Sequence, residues 1–156
     1  MLDIKDSVAV ITGGSGGIGK ALAKVWLENG GRVVIADLFE EELEKAKEEL
    51  GPSGVRSMAC DVTKEEDCAA LASFAVENFG KINMVAPFAG IIKDGLMLSP
   101  DRESGKIKKK MALDDFRKVI DINLTGVFLT VRECAEQMVN HNCKGLICLV
   151  SSRSEE

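Results

Sequence analysis

The strongest constraint on the fold is a strand-like segment that runs straight into a cluster of glycines. Residues 7–12 read SVAVIT, a β-branched apolar run typical of a strand buried on both faces. Residues 13–19 then read GGSGGIG, and residues 17–29 place apolar side chains at helical spacing. A helix that begins in such a turn offers free N–H groups and a positive dipole end, and glycine lets a phosphate approach the backbone. The segment therefore predicts a dinucleotide site; the alternative is a glycine-rich turn that binds nothing.

Strand-like and helix-like segments alternate along the first half of the chain. After the first pair, strands are predicted at 32–36, 55–60 and 82–86, and helices at 40–50 and 64–79. Such alternation requires right-handed crossovers and gives a parallel sheet with helices on both faces. The first helix is expected to face that sheet with one stripe of large apolar residues: Ile18, Leu22, Val25 and Trp26.

The second half departs from this alternation before it resumes. Residues 91–111 combine Pro, Gly and a basic run without helical period, which predicts an excursion such as a hairpin. An amphipathic helix is predicted at 114–141 and a fifth strand at 145–151. We therefore expect one α/β domain over residues 1–156, a Rossmann-type doubly wound parallel sheet in three α/β/α layers. The expected strand order is 3-2-1-4-5, with the nucleotide at the switch between strands one and four.

Composition narrows the partners and the cellular setting. Lys and Arg total 20 against 25 Asp and Glu, a net charge of -5, which argues against nucleic acid and anionic membranes as partners. The five cysteines form no CxxC pair and the sequence has a single histidine, so neither a metal site nor a disulfide framework is predicted. The N-terminus lacks the pattern of a signal peptide, and no apolar run is long enough to span a membrane. We expect a cytoplasmic protein.

An acidic residue at the end of the second strand bears on cofactor choice. Asp37 lies 18 residues after Gly19, close to the ~20 expected for a carboxylate that binds a ribose 2′-hydroxyl. A 2′-phosphate would meet this carboxylate as a like charge, and no arginine stands in the glycine loop or directly after Asp37. The pattern favours NAD(H) over NADP(H). The alternative is a solvated acid at a strand end.

Several separate motifs together resemble the classical short-chain dehydrogenase/reductase family, and most closely its 3-oxoacyl-acyl-carrier-protein reductase branch. They are TGGSGGIG at 12–19, CDVT at 60–63, Ala89-Gly90 after the fourth strand, INLTGVF at 122–128 and GLICLVSS at 145–152. The sequence departs from the family where Pro87 and Phe88 occupy the positions of two asparagines. Gly16 stands where NADPH-preferring members often carry arginine, which again favours NAD(H).

The resemblance implies a set of cofactor contacts. Asp61 is expected to contact adenine with the backbone of Val62 beside it, although Asp61 alone could be a helix cap. The implied cofactor-binding residues are Gly13, Ser15, Gly17, Ile18, Gly19, Asp37, Asp61, Val62, Ala89 and Gly90.

The resemblance also implies two catalytic residues. Asn123 is expected to bend the long helix and help hold a proton-relay water, and Ser152 to hydrogen-bond the substrate carbonyl. Read without the family, Asn123 is an ordinary polar residue and Ser152 a polar strand exit. The family's acid is a tyrosine followed four residues later by a lysine. This chain has no tyrosine and ends at Glu156, so the resemblance covers the first part of the family domain.

These features give two expectations for function. The first is an NAD(H)-linked oxidoreductase that acts on a 3-oxoacyl or related carbonyl, with efficiency impaired in this chain alone because a proton donor is worth about 10²–10⁴-fold. The second is a catalytically inactive nucleotide-binding or interaction protein. The expected partner of the oxidoreductase is a small-molecule or acyl-thioester substrate. We also expect a second copy of the chain to bind, because the apolar fifth strand would otherwise be an exposed edge. The lysines at 106–110 could dock an acidic acyl carrier protein, or form a solvated loop.

Overall fold

A computed structural model describes residues 3–151 of the chain. Its strands are β1 (Val8–Thr12), β2 (Arg32–Asp37), β3 (Val55–Ala59), β4 (Met84–Pro87), β5 (Leu98–Pro100), β6 (Ile107–Lys110) and β7 (Leu146–Ile147). Its helices are α1 (Gly17–Glu28), α2 (Glu40–Leu50), α3 (Glu65–Phe79), α4 (Leu113–Ile120) and α5 (Gly126–Asn140). A π-helical turn, Asp121–Thr125, joins α4 to α5.

The main sheet has five parallel strands in the order β3-β2-β1-β4-β7. Because β7 is the fifth strand of this sheet, the predicted order 3-2-1-4-5 is confirmed. Successive strand residues point to opposite faces. Val10 and Val34 belong to the core cluster formed with α3 and α5, whereas Ile11 and Ile35 belong to the cluster formed with α1 and α2. The helices therefore cover both faces, as a doubly wound three-layer fold requires.

The predicted apolar stripe of α1 is wrong in two of its members. Ile18 and Val25 are 69% and 50% exposed. The buried residues of α1 are Gly19, Ala23 and Trp26. A Cβ at Gly19 would overlap the carbonyl oxygen of Gly13, so the helix lies against the glycine loop with small residues rather than with large ones. This close approach brings the first turn of α1 to the end of β1.

The fifth strand of the sheet is shorter than the predicted 145–151. Ladder pairing with β4 covers only Leu146–Ile147, and one further bond follows from the N–H of Cys148 to the carbonyl of Val85, at 2.9 Å. The side chain of Asn83 reinforces the beginning of this strand. Its Oδ1 accepts the N–H of Val8 at 3.1 Å and its Nδ2 donates to the carbonyl of Lys144 at 3.0 Å. One buried amide thus ties β1 to the segment that leads into β7.

The predicted excursion at 91–111 contains an antiparallel hairpin formed by β5 and β6. All four residues of β6 are exposed, and three of them are lysines. An ion pair between Lys93 and Asp115 ties the segment before the hairpin to α4.

The long helix predicted at 114–141 is present as α4, the π-helical turn and α5. Asn123 lies in the π-helical turn, at the place where the family resemblance implies a bend, and π turns are a recognised cause of helix kinks. Gly126 begins α5 directly against Val62, because a Cβ at Gly126 would lie 2.7 Å from Cγ2 of Val62. The helix therefore reaches the loop after β3. Among the described residues, none of the helices is both long and apolar enough to cross a membrane.

Candidate cofactor-binding site

The carboxyl ends of β1 and β4 open onto a cavity of about 590 Å³, within the usual range for small-molecule sites. The glycine loop forms one wall, and the segment after β4 forms another. The residues that line it are Gly13, Gly16, Gly17, Ile18, Gly19, Pro87, Phe88, Ala89, Gly90, Ile91, Ile92, Asn123, Val127 and Val150. The cavity lies at the switch between the first and fourth strands, where the sequence predicts the nucleotide.

The glycine loop leaves open space at the start of α1. Gly13 has a positive φ of 67°, and a Cβ there would lie 2.8 Å from the backbone of Phe88 and Ala89. Gly17 is different, since a Cβ there would meet nothing within 4 Å. Within the described residues, α1 has no side-chain cap on its first turn. The loop therefore combines tight backbone packing beneath it with an open pocket beside free helical N–H groups, which fits a pyrophosphate.

Asp37 contacts the glycine loop through Ser15. The Ser15 hydroxyl donates to Oδ2 of Asp37 at 2.5 Å, and the Ser15 N–H donates to the same oxygen at 3.2 Å. Oδ1 of Asp37 accepts the N–H of Leu38 at 2.8 Å. The carboxylate is thereby held at the end of β2, beside the loop, rather than left as a freely solvated acid.

A second, smaller cavity of about 180 Å³ lies between the ends of β2 and β3. Asp37, Asp61 and Val62 are among its walls, together with the apolar side chains of Leu38, Phe39 and Ile122. It shares Ala89, Gly90 and Ile91 with the larger cavity. Two neighbouring cavities, of which the smaller has apolar walls and the Asp37 carboxylate, suit a nucleotide with its adenine at the smaller one.

The side chain of Asp61 is engaged within its own turn. Its Oδ1 accepts the N–H of Thr63 at 3.1 Å and the Thr63 hydroxyl at 2.7 Å. The hydroxyl bond holds the pKa of the Asp61 carboxyl below its ordinary value, with Lys64 nearby at 3.9 Å. The structure thus gives the Asp61 side chain a role in shaping the turn before α3, and Asp61 lines the smaller cavity beside Val62.

Hydrogen bonds to Thr12 hold the segment at the end of β4, in which Pro87 and Phe88 stand where the family has two asparagines. The N–H of Phe88 donates to the carbonyl of Thr12 at 3.1 Å, and the N–H of Ala89 donates to the Thr12 hydroxyl at 3.3 Å. Sequence reasoning does not single out Thr12 as a site residue. Its signals in the sequence are its position as the last residue of β1 and as the first residue of the TGGSGGIG motif.

Asn123 fixes the same segment from the opposite side. Its Oδ1 accepts the N–H of Ile91 at 2.9 Å, and its Nδ2 donates to the carbonyl of Ile91 at 2.8 Å. Val127 and Val150 lie in the cavity wall nearby. Ser152, the other predicted catalytic residue, lies outside the described residues.

Three cysteines are buried in the core beneath the smaller cavity. A hydrogen bond to Cys68, together with burial, raises the pKa of the Cys60 thiol above its ordinary value. Burial raises the pKa of Cys134 to about 12. The thiols of Cys60 and Cys134 therefore stay protonated at neutral pH. Over residues 3–151, no three His, Cys, Asp or Glu side chains are grouped so as to hold a metal ion.

A doubly wound parallel sheet with a glycine loop, a strand-end carboxylate and two neighbouring cavities at its switch point is typical of the Rossmann class, whose members bind dinucleotides at this place. Residues 7–156 match the family described as short chain dehydrogenase, and the chain belongs to that family.

Relatives and solved structures agree with this assignment. The chain is 34% identical over 152 residues to a mitochondrial borneol dehydrogenase of Lavandula x intermedia, covering 96% of this chain and 53% of that protein. It is 37% identical over 134 residues to momilactone A synthase of Oryza sativa subsp. japonica, covering 84% of this chain and 44% of that protein. An NAD⁺-bound xylitol dehydrogenase superposes with a TM-score of 0.77 at 31% identity, over 95% of this chain and 54% of that chain. The chain thus spans about half the length of these relatives.

Proposed function

We propose that residues 1–156 act as one NAD(P)-binding domain of a short-chain oxidoreductase, with NAD(H) favoured over NADP(H). The observation that carries the proposal is the Asp37 carboxylate beside the glycine loop, held there by Ser15. A carboxylate in that place accepts hydrogen bonds from ribose hydroxyls and repels a 2′-phosphate. The solved xylitol dehydrogenase, described as NAD⁺-bound, supports the same choice.

The reaction we propose interconverts a carbonyl and an alcohol. A bound nicotinamide supplies or accepts the hydride, while a proton must reach or leave the oxygen. Asn123 is proposed to help hold the water of that proton relay, and Ser152 to hydrogen-bond the carbonyl oxygen. The pyrophosphate would lie on Gly13, Ser15, Gly17, Ile18 and Gly19.

The substrate we propose is a 3-oxoacyl compound or a related carbonyl. The apolar side chains of Ile91, Ile92 and Val127 along the larger cavity support an apolar substrate. The relatives named above are a borneol dehydrogenase and a momilactone A synthase, so the narrower likeness to 3-oxoacyl reductases stays a proposal.

An acidic acyl carrier protein is the proposed carrier of such a substrate. The exposed lysines of β6 support it by charge complementarity. Replacing Lys108, Lys109 and Lys110 with Glu should lower kcat/KM for a carrier-linked substrate and leave that for a small thioester unchanged. Lys24→Glu on α1 is the matched control, and equal effects on both substrates would remove the carrier from the proposal.

The second candidate function is cofactor binding without turnover, which requires only the glycine loop and the Asp37 carboxylate beside it. Calorimetric titration with NADH and with NADPH, followed by assay of acetoacetyl thioester reduction by NADH, separates the two. Tight NADH binding with turnover supports the oxidoreductase, and binding without turnover supports the inactive alternative. If neither nucleotide binds, both proposals fail.

We further propose that the protein assembles as a homo-oligomer and works in the cytoplasm. Large apolar side chains are exposed on α4, on α5 and beside β7: Leu113, Phe116, Phe128, Val139, Leu146, Ile147, Leu149 and Val150. Apolar surface of this extent is typical of interfaces. Sedimentation velocity should show an oligomer that Phe128→Ser weakens, while Val25→Ser, at an exposed position of α1, does not. A monomer at micromolar concentration would contradict the assembly.

A further inference from the structure

We infer that Ser15 is a positioning residue for cofactor selectivity, acting through Asp37. This inference rests on the proposed function, because it concerns the same nucleotide site. Its basis is a pair of hydrogen bonds that the family resemblance does not supply: the Ser15 hydroxyl and the Ser15 N–H both donate to one oxygen of Asp37, at 2.5 and 3.2 Å.

The first consequence concerns the direction of the Asp37 side chain. A carboxylate at a strand end can rotate into water, where it contributes little to ligand choice. Here its two oxygens are bound separately, Oδ2 by Ser15 and Oδ1 by the N–H of Leu38 at 2.8 Å. Bonds to either oxygen are charge-assisted and therefore stronger than neutral ones. Ser15 thus fixes the orientation of the Asp37 carboxylate, which could still rotate if Leu38 alone bound it at one oxygen.

The second consequence concerns which hydrogen-bonding groups remain for a ligand. The Ser15 hydroxyl has one hydrogen, which it donates to Asp37 in a hydrogen bond. The hydroxyl oxygen can therefore only accept a hydrogen bond from a further partner. The carboxylate likewise accepts only. A ribose diol supplies two donors and suits this pair of acceptors, whereas a 2′-phosphate supplies acceptors and negative charge. The ammonium of Lys20, in the first turn of α1, is paired with Glu49 at 2.6 Å. Ser15 and Asp37 together therefore offer a ligand only hydrogen-bond acceptors.

The test is the ratio of the dissociation constants for NADPH and NADH, measured by calorimetric titration without turnover. Ser15→Ala should weaken NADH binding roughly tenfold, which is the effect of losing one hydrogen bond to a charged group. NADPH binding should stay nearly unchanged, so the ratio of the NADPH to the NADH dissociation constant should fall. Ser15→Thr keeps the hydroxyl and should restore most of the ratio. Ser15→Gly is a second variant without the hydroxyl and should lower this ratio as Ser15→Ala does.

Ser104 offers a matched control elsewhere in the chain. Its hydroxyl and its N–H both donate to Oδ1 of Asp101 at 2.9 Å, the same arrangement in the turn of the hairpin. Ser104→Ala should leave both dissociation constants unchanged. This control distinguishes the general effect of removing a serine–aspartate hydrogen bond from the effect of removing one at the nucleotide site.

The outcomes distinguish this inference from the proposed function. If Asp37→Ala erases the preference for NADH while Ser15→Ala leaves it intact, or weakens both nucleotides equally, the role of Ser15 is refuted and the proposed site stands. The role of Ser15 is equally refuted if Ser15→Thr behaves like Ser15→Ala. If the unaltered protein shows no preference for NADH, the proposed NAD(H) function itself fails.

Discussion

The side-chain amide of Asn123 makes both of its hydrogen bonds to one residue, accepting the N–H of Ile91 and donating to its carbonyl. The π-helical turn is thereby joined to the chain segment shared by the two cavities.

Asn123→Ala should loosen this joint. Two hydrogen bonds are lost, each with a net contribution of roughly 0.5–1.5 kcal/mol, so the free energy of unfolding should fall by about 1–3 kcal/mol in urea denaturation. Amide exchange should accelerate at Ile91 in particular. Asn140→Ala, at an exposed position at the end of α5, is the control. Unchanged exchange at Ile91 would show that the amide does not hold the segment.

Two glycines of the loop should respond to alanine in opposite ways. Gly17→Ala should leave the melting temperature unchanged or slightly raised, because its Cβ meets nothing within 4 Å and alanine favours helix. The same Cβ would occupy the space proposed for the phosphate, so NADH affinity should fall more than tenfold. Gly19→Ala should lower the free energy of unfolding by roughly 1–3 kcal/mol, because its Cβ overlaps the Gly13 carbonyl. Comparable NADH affinity for Gly17→Ala and the unaltered protein would place the phosphate elsewhere.

The sequence's one tryptophan should report on folding and on local packing. Trp26 is buried, and its Nε1 is without a hydrogen-bond partner in the described part of the chain. A Cβ at Gly31 would lie 2.6 Å from that nitrogen. Gly31→Ala should therefore cost roughly 1–3 kcal/mol of stability, followed as a red shift of the tryptophan emission at lower denaturant. Gly95→Ala in the excursion, with only an ordinary 3.8 Å contact to Met111, should leave the transition in place.

Buried thiols predict a loss of stability in alkali. Burial raises the pKa of Cys134 from 9.0 to about 12, so the unfolded chain releases this proton at a lower pH than the folded protein does. The stabilisation from the buried thiol is complete below pH 9 and declines as the pH rises toward 12. Cys134→Ala should flatten that decline in urea denaturation measured across this range. An identical pH dependence in the variant would show that Cys134 does not contribute to it.

Much of the fold was predictable because strands buried on both faces, such as β1 and β2, carry unbroken β-branched and apolar runs. The order of the strands was predictable from the Rossmann-type class, which the glycine loop between the first strand and the first helix indicates. The inward face of α1 was not predictable from hydrophobicity, because close approach to the glycine loop favours Gly19 and Ala23 over Ile18 and Val25. The pairing of β7 with β4 ends at Ile147 although β4 continues to Pro87, and no local sequence pattern specifies that end.

The candidate site was predictable where a residue's role depends on its place at a strand end. Asp37 and the glycine loop belong to that class. The bond from Ser15 to Asp37 and the two bonds from Asn123 to Ile91 depend on side-chain directions across segments distant in sequence. Thr12 begins the TGGSGGIG motif, but its hydrogen bonds to Phe88 and Ala89 were not predictable, because they depend on how β1 and β4 lie side by side.

Asn83 lies at the opposite end of the sheet from the cavities, and its buried amide spans β1 and the approach to β7. The edge strand β7 is attached by a ladder of two residue pairs and by this side chain, whereas β1 pairs with its neighbours over four and five residues. If the protein unfolds in stages, β7 should detach from β4 first, while β1 and β2, which lead into the glycine loop and Asp37, stay paired. The strand expected to open first is therefore not one of the two that hold the glycine loop and the carboxylate.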